Sequence, residues 1–289
     1  MGASRTIGTL DFEGPHYDVP AVGAGCAAAI LFGRKGARVA LVEPKTLPLT
    51  KKICTHYIQP SATPTIERLG LATAIGMAGG LRNEVELFTR WGWVLPPPTP
   101  LTARPAYGHN IRRQMLDPIV RNAAIATSGV DFMPGFSARE LLMSDDRIDG
   151  LRAQGSDGLQ REIEAGLVVG TDGRQSRIAE LAALDAKTKP NGCFFYFAHY
   201  RNLPLKNGSR SQIWFLEPDI AYAFPNDGDV TLVAAMPEHA KLSPAVGRKA
   251  TIESTPSPGG RVCQPFGRLE GPAAPHAPQW IDRKRRVAN

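Results

Sequence analysis

Apolar positions along the chain fall into two regimes. Between residues 17 and 43, two continuous apolar runs flank a stretch rich in small residues, YDVPAVGAGCAAAILFGRKGARVALVE. That pattern predicts a strand, a glycine turn, a helix stopped by Lys35-Gly36, and a second strand. From residue 130 the segments are shorter. Those at 130–133, 136–143, 148–153 and 160–164 are divided by Asp145-Asp146 and Asp157-Gly158 turns, which predicts a β-meander. Residues 167–170 read as a buried strand of parallel-sheet type, followed by Thr171-Asp172-Gly173 and a helix over 175–183. Strands at 194–200, 212–216, 221–224 and 230–235 alternate as an antiparallel sheet with one buried face.

The part between these regimes carries weaker signals. A Pro- and Lys-rich loop follows Glu43, then an amphipathic helix at 64–69 stops at Gly70. A strand over 85–94 runs into Pro96-Pro97-Pro98. A strand over 107–113 feeds a helix over 116–127, with Asp117 and Pro118 in its first turn. Pro20 is out of place in the first strand, since it removes a ladder donor. The helix after the glycine turn is brief, and no internal repeat is present.

The first stretch carries the clearest chemistry. Gly23, Gly25 and Ala28 occupy the three positions of a G-x-G-x-x-G/A fingerprint, and Glu43 lies 20 residues beyond Gly23 at the tip of the second strand. Gly23 permits the tight turn, Gly25 lets backbone N–H groups approach a pyrophosphate, and Ala28 lets helix and strand pack closely. The helix N-terminus suits phosphate, and Glu43 can accept ribose hydroxyls. The alternative is an Ala/Gly-rich packed helix with no ligand.

Net charge changes this picture less than it first suggests. The chain of 289 residues carries +7, yet residues 1–240 hold 25 basic against 24 acidic side chains, and the last 49 hold 9 against 3. The excess sits in a Pro/Gly-rich tail ending Arg283-Lys284-Arg285-Arg286, whose composition predicts disorder. That tail is read as solvated, so no nucleic-acid partner is expected. Cys26, Cys54, Cys193 and Cys263 form no C-x-x-C pair, so neither a metal site nor a disulfide framework is expected. Cys26 is read as a small filler, and a reduced, cytoplasmic setting is the default. The apolar run over 19–33 falls short of the about 20 residues a membrane span needs, so no integral membrane segment is expected.

Several ordered blocks together resemble the FAD-dependent oxidoreductases of the aromatic-hydroxylase-like group, which includes flavin monooxygenases and the geranylgeranyl reductase-like branch. The blocks are the fingerprint, Thr55-His56-Tyr57-Ile58-Gln59-Pro60 with Glu67-Arg68-Leu69-Gly70-Leu71, Arg113-Gln114-Met115-Leu116-Asp117, and 169–176 with Asp172-Gly173. Residues 221–228 also resemble a strand and turn of the family's substrate domain. The resemblance covers about residues 17–240. It implies an α/β fold, with a Rossmann-like FAD-binding domain with β-meander plus an antiparallel-sheet substrate domain. The implied boundaries are an N-terminal extension at 1–16, FAD-binding segments at 17–84 and 105–190, substrate-domain segments at 85–104 and 191–240, and the tail at 241–289.

Site roles follow from the same resemblance. Gly23, Gly25 and Ala28 would cradle the FAD pyrophosphate, and Glu43 would hold the adenosine ribose. Arg113 would approach FAD, while Asp172 and Gly173 are associated with flavin and nicotinamide. The alternatives from the residues alone are that Arg113 is a solvated helix-start arginine and Asp172-Gly173 a plain turn. His56 lies in a loop that borders the flavin in the family, and it is read as structural, with no catalytic role. No catalytic acid or base stands out.

The implied function is an FAD-dependent oxidoreductase, in which NAD(P)H-reduced flavin hydroxylates or reduces a hydrophobic or aromatic small molecule. The family's third flavin block, a Gly-Asp motif before a Pro- and Gly-containing helix start, is not found after about Ala240. A second reading is therefore a truncated, non-enzymatic remnant with weak or no flavin binding. A third is an NAD(P)-dependent Rossmann dehydrogenase.

Overall fold

The computed structural model describes residues 16–23, 25–46, 54–94, 107–185, 195–206 and 208–238. The N-terminal extension, save for His16, as well as Pro96-Pro97-Pro98, Cys193, Cys263 and the basic tail lie outside the described residues.

The first elements are Val19–Gly23 (β1), Cys26–Gly33 (α1), Val39–Glu43 (β2), Tyr57–Ile58 (β3), Thr63–Arg68 (α2) and Ala72–Met77 (α3). Leu81–Asn83 (β4), Val85–Thr89 (β5), Gly92–Val94 (β6), Gly108–Asn110 (β7) and Arg113–Ile125 (α4) follow. Next come Val130–Pro134 (β8), Phe136–Ser144 (β9), Arg147–Gly155 (β10), Gln160–Glu164 (β11), Val169–Thr171 (β12) and Arg177–Leu181 (α5). The last are Tyr196–Arg201 (β13), Ser211–Phe215 (β14), Ile220–Asn226 (β15) and Val230–Met236 (β16). The chain divides into two compact units, Met1–Leu49 with Val120–Ala186, and Thr50–Ile119 with Lys187–Asn289. The segments around β3, β4 and β7, grouped from sequence with the nucleotide-binding layer, cluster with the second unit.

The first unit is layered. Its parallel sheet has the order β12-β1-β2-β8, and a three-stranded antiparallel sheet, β11-β10-β9, packs against it. Val22, Ala40, Val42 and Met133 from the parallel sheet meet Ala138, Leu141, Leu151, Ala153 and Ile163 in one buried cluster. Residues of opposite parity, Ala21, Val39 and Leu41, are also buried, so β1 and β2 are apolar on both faces as a central parallel strand requires. Ala29 and Ile30 of α1 are buried as well. Gly33 permits close approach, because a Cβ there would meet Thr127 Cγ2 at 2.7 Å and Ser128 O at 3.0 Å. Gly36, with φ 85°, then turns the chain out of α1.

Several sequence expectations change here. The segment at 130–134 is not a meander strand: it pairs parallel with β2 as the edge of the first sheet, leaving three strands in the meander. The strand expected at 167–170 is not buried, since Leu167 is 47% exposed and β12 is an edge strand only three residues long. Pro20 is accommodated because its register partner on β2 is Ala40, whereas pairing with β12 begins only at Ala21.

The second unit holds a six-stranded sheet, β13-β16-β15-β14-β5-β6, and a small sheet, β3-β7-β4. The larger sheet is antiparallel except for one parallel pairing between β14 and β5. The residues expected as one strand at 85–94 form a hairpin, with β5 turning at Arg90-Trp91 into β6. One face of the large sheet stacks aromatics: Phe195 on Phe197 at 5.3 Å, Tyr222 on Phe224 at 4.7 Å, and Tyr57 on Phe224 at 5.1 Å. Leu232 and Ala234 complete that cluster. α4 begins three residues before its expected start, which puts Pro118 inside the helix, where it supplies no N–H for the carbonyl of Gln114. No helix among the described residues is long and apolar enough to cross a membrane.

Candidate functional site

In the first unit, parallel pairing places the carboxyl ends of β12, β1 and β2 side by side, with Gly23 in register with Thr171. Gly23 ends β1, Glu43 ends β2, and Asp172-Gly173 directly follows β12. The sheet therefore brings Gly23, Gly25, Ala28, Glu43, Asp172 and Gly173 to one edge. Ligands of open α/β sheets bind at that edge.

The α1 end is built for an anion. Gly25 is its N-cap, no side chain caps it, and its first turn carries no acidic residue. No side chain of the helix's own first turn therefore offsets the partial positive charge of its N-terminus. Gly25 has an ordinary φ of −73°, so the reason for glycine is space rather than backbone freedom. A Cβ at this position would lie 2.9 Å from Ala21 Cβ and 2.9 Å from Thr171 Oγ1. Glu43 is half-buried, and its Oε1 accepts the Lys45 N–H at 3.2 Å. These groups fit a dinucleotide: a helix opened by Gly25 with no side-chain cap, and a carboxylate acceptor at the neighbouring strand tip.

Asp172 has a local task that its sequence pattern did not announce. Its Oδ1 accepts from Ser176 Oγ at 2.6 Å, and its Oδ2 accepts the N–H groups of Arg177 at 2.6 Å and Ile178 at 3.1 Å. Ser176 Oγ in turn accepts the Ala179 N–H at 2.9 Å. The carboxylate therefore closes the loop onto the start of α5, with Gly173 at φ 95° completing the turn. A Cβ at Gly173 would meet nothing within 4 Å, so this glycine is required by its backbone conformation alone.

Arg113 belongs to the second unit, where it opens α4. Its side chain pairs with Asp117 one turn later. The segment leading into it is held residue by residue. Asn110 Nδ2 donates to Ser211 Oγ at 2.9 Å and to the Pro225 carbonyl. The Ile111 N–H donates to the His56 carbonyl at 3.1 Å. Arg112 donates through its backbone N–H and Nε to the buried Asp227 at 2.7 and 2.8 Å, and its Nη2 lies 2.6 Å from Asp227 Oδ2. The Arg113 N–H donates to His56 Nδ1 at 3.2 Å.

His56, read from the sequence as structural, meets His199, which sequence reasoning did not single out. His56 is buried, and its Nε2 lies 3.2 Å from His199 Nε2. Burial, and then the neighbouring His199, push its pKa down to about 4. Asp227 opposes this, while Arg112 and Arg113 reinforce it. The one usable signal in the sequence was the block Thr55 to Pro60; nothing linked it to His199, which is 143 residues away. Among the described residues, no three His, Cys, Asp or Glu side chains converge as a metal site would need.

Comparison with known proteins bears on the family and the fold. The chain is 34% identical over 83 residues to digeranylgeranylglycerophospholipid reductase 2 of Methanothermobacter thermautotrophicus, covering 29% of this chain and 21% of that protein. It is 28% identical over 180 residues to digeranylgeranylglycerophospholipid reductase 1 of Methanopyrus kandleri, covering 61% and 44%. The chain thus spans less than half the length of these curated relatives. Among solved structures, PqsL of Pseudomonas aeruginosa, a probable FAD-dependent monooxygenase, shares the fold with a TM-score of 0.66 at 21% identity, over 78% of this chain and 62% of that one. PqsL has also been crystallised with 2-aminobenzoylacetate. The family model for the FAD binding domain matches residues 17–207, well over half of the chain, and the protein belongs to that family.

Proposed function

We propose that the protein is an FAD-dependent oxidoreductase acting on a hydrophobic or aromatic small molecule, with NAD(P)H as electron donor. The observation that carries this reading is the convergence of Gly23, Gly25, Glu43 and the Asp172-Gly173 loop at the carboxyl edge of β12, β1 and β2. When bound, the flavin supplies the hydride and electron transfer, and the protein supplies binding, orientation and exclusion of water.

Each residue then has a task. The α1 N–H groups beside Gly23, Gly25 and Ala28 hold the pyrophosphate, and Glu43 accepts the adenosine ribose hydroxyls. Asp172 keeps the loop after β12 closed, so that the backbone at Gly173 faces the cofactor. Arg113 approaches the cofactor, as the family resemblance implies. The apolar strands read at 194–200 and 213–216, together with the family resemblance, favour a hydrophobic or aromatic substrate; the stacked Phe195, Phe197, Tyr222 and Phe224 are buried core of the second unit.

Anaerobic addition of NADH or NADPH to the FAD-loaded full chain tests the reading. Bleaching of the visible flavin band by either nucleotide is expected. A band unchanged by both would refute the donor assignment. The eight-residue α1 favours a second reading, a family member that holds flavin weakly; micromolar FAD that fails to stay bound on gel filtration distinguishes it.

A further inference from the structure

The His56 loop holds the start of α4 by contacts that use every polar group of His56. The backbone of His56 sits at φ 61°, a conformation that costs a non-glycine residue of order 1–3 kcal/mol and persists only where surrounding contacts fix it. Its carbonyl accepts the Ile111 N–H at 3.1 Å, and its own N–H donates to Cys54 Sγ at 3.4 Å. Its Nδ1 accepts the Arg113 N–H at 3.2 Å, so Nδ1 carries no proton and the ring proton is on Nε2. Nε2–H then donates to His199 Nε2 at 3.2 Å. The loop is thereby tied at once to the strand-to-helix junction and to β13.

We propose that His56 is a positioning residue within the second unit: wedged between the Arg113 amide and His199, it sets where α4 starts and thereby the place of Arg113, whose guanidinium pairs with Asp117. This inference rests on the role given to Arg113 under Proposed function. The same geometry excludes His56 as a link in a proton relay. A proton leaving through Nε2 could be replaced only at Nδ1, and Nδ1 is closed by a backbone amide, which does not transfer protons.

The groups facing His56 are His199, Arg112, Arg113, Asp227 and the Cys54 thiol. An added proton breaks one tie wherever it lands. On His56 Nδ1 it displaces the Arg113 amide, and on His199 Nε2 it meets the His56 N–H. Acid therefore releases the start of α4, in keeping with the depressed basicity of the buried ring.

Three full-chain variants separate positioning from bulk structure. His56→Asn tolerates positive φ and offers Oδ1 where Nδ1 stood, but does not titrate and loses His199. His56→Gln offers a donor to His199 and nothing to Arg113. His56→Ala offers neither. FAD dissociation constants would be read by flavin fluorescence between about pH 5 and 8, together with amide hydrogen exchange at residues 111–116. His56→Ala and His56→Gln are expected to weaken FAD binding about tenfold and to speed exchange at the Arg113 amide. His56→Asn should stay close to the parent in both, and should lose the parent's fall in affinity toward acid. Parent-like affinity in His56→Ala and His56→Gln, or a His56→Asn variant as weak as His56→Ala, would overturn the inference. A parent chain that takes up no FAD sinks the proposed function instead, and the exchange measurement then decides alone whether His56 fixes the start of α4.

Discussion

Adding one methyl group at Gly25 sets two opposed effects against each other. At φ −73° an alanine is conformationally welcome, and by restricting the unfolded chain it should stabilise by about 0.4–1 kcal/mol. The new Cβ, however, would lie 2.9 Å from both Ala21 Cβ and Thr171 Oγ1. Neither atom is the end of a flexible side chain. Ala21 sits in β1, and the Thr171 hydroxyl donates to the Val22 carbonyl at 2.5 Å, tying β12 to β1. Overpacking of this kind costs about 1–3 kcal/mol, and breaking the threonine bond adds about 1 kcal/mol. Gly25→Ala is therefore expected to destabilise the first unit by about 1–3.5 kcal/mol net. Hydrogen exchange of peptides spanning β1 and α1 is the suitable assay, since a two-unit chain need not unfold in one step. Gly76→Ala is the matched control: it lies in α3 with nothing within 4 Å of its Cβ, and should stabilise by about 0.5–1 kcal/mol. Unchanged or slower exchange in Gly25→Ala would refute the close-packing argument for this glycine.

Other perturbations test other parts of the account. Glu43→Ala should weaken FAD binding by roughly 10- to 150-fold, the equivalent of about 1.5–3 kcal/mol for a hydrogen bond to a charged group, measured by equilibrium titration. Because His56 has a lower pKa folded than unfolded, the unfolded chain takes up its proton first on acidification. Stability should fall from about pH 6.5 and the loss should be complete near pH 4, about 3 kcal/mol in all at about 1.4 kcal/mol per pH unit. Denaturant melts across that range check this, and His56→Asn should flatten the curve. Asp227→Ala strips the Arg112 guanidinium and amide of a buried partner and should destabilise the second unit by about 3 kcal/mol, read as a lower urea midpoint.

How much of this was legible in the sequence depended on whether the cause was local. The fingerprint could be read because its spacing is a local pattern, whereas the close approach that requires glycine at 25 involves Thr171 on β12 and was not in that pattern. Apolar runs located β1, β2 and four strands of the large sheet, β13 to β16, since burial on one or both faces writes a period into the chain. The same periodicity could not say that residues 130–134 pair with β2 rather than with β9, because partner choice is a non-local property. α3 went unread because Ala72-Thr73-Ala74-Ile75-Gly76-Met77 has a single buried position and therefore no pattern. The start of α4 was misplaced because what fixes it, His56 and Asp227, lies 57 and 115 residues away. Asp172 was legible as a motif, but its hydrogen bonds to Ser176, Arg177 and Ile178 became visible only once α5 had a position.

The central claim is that the edge formed by Gly23, Gly25, Glu43 and Asp172-Gly173 holds FAD. Equilibrium titration of the purified full chain with FAD, followed through flavin fluorescence, tests it most directly. The account predicts saturable binding of one FAD per chain, weakened by Glu43→Ala. A chain that binds no FAD, or binds it equally well without Glu43, would contradict it.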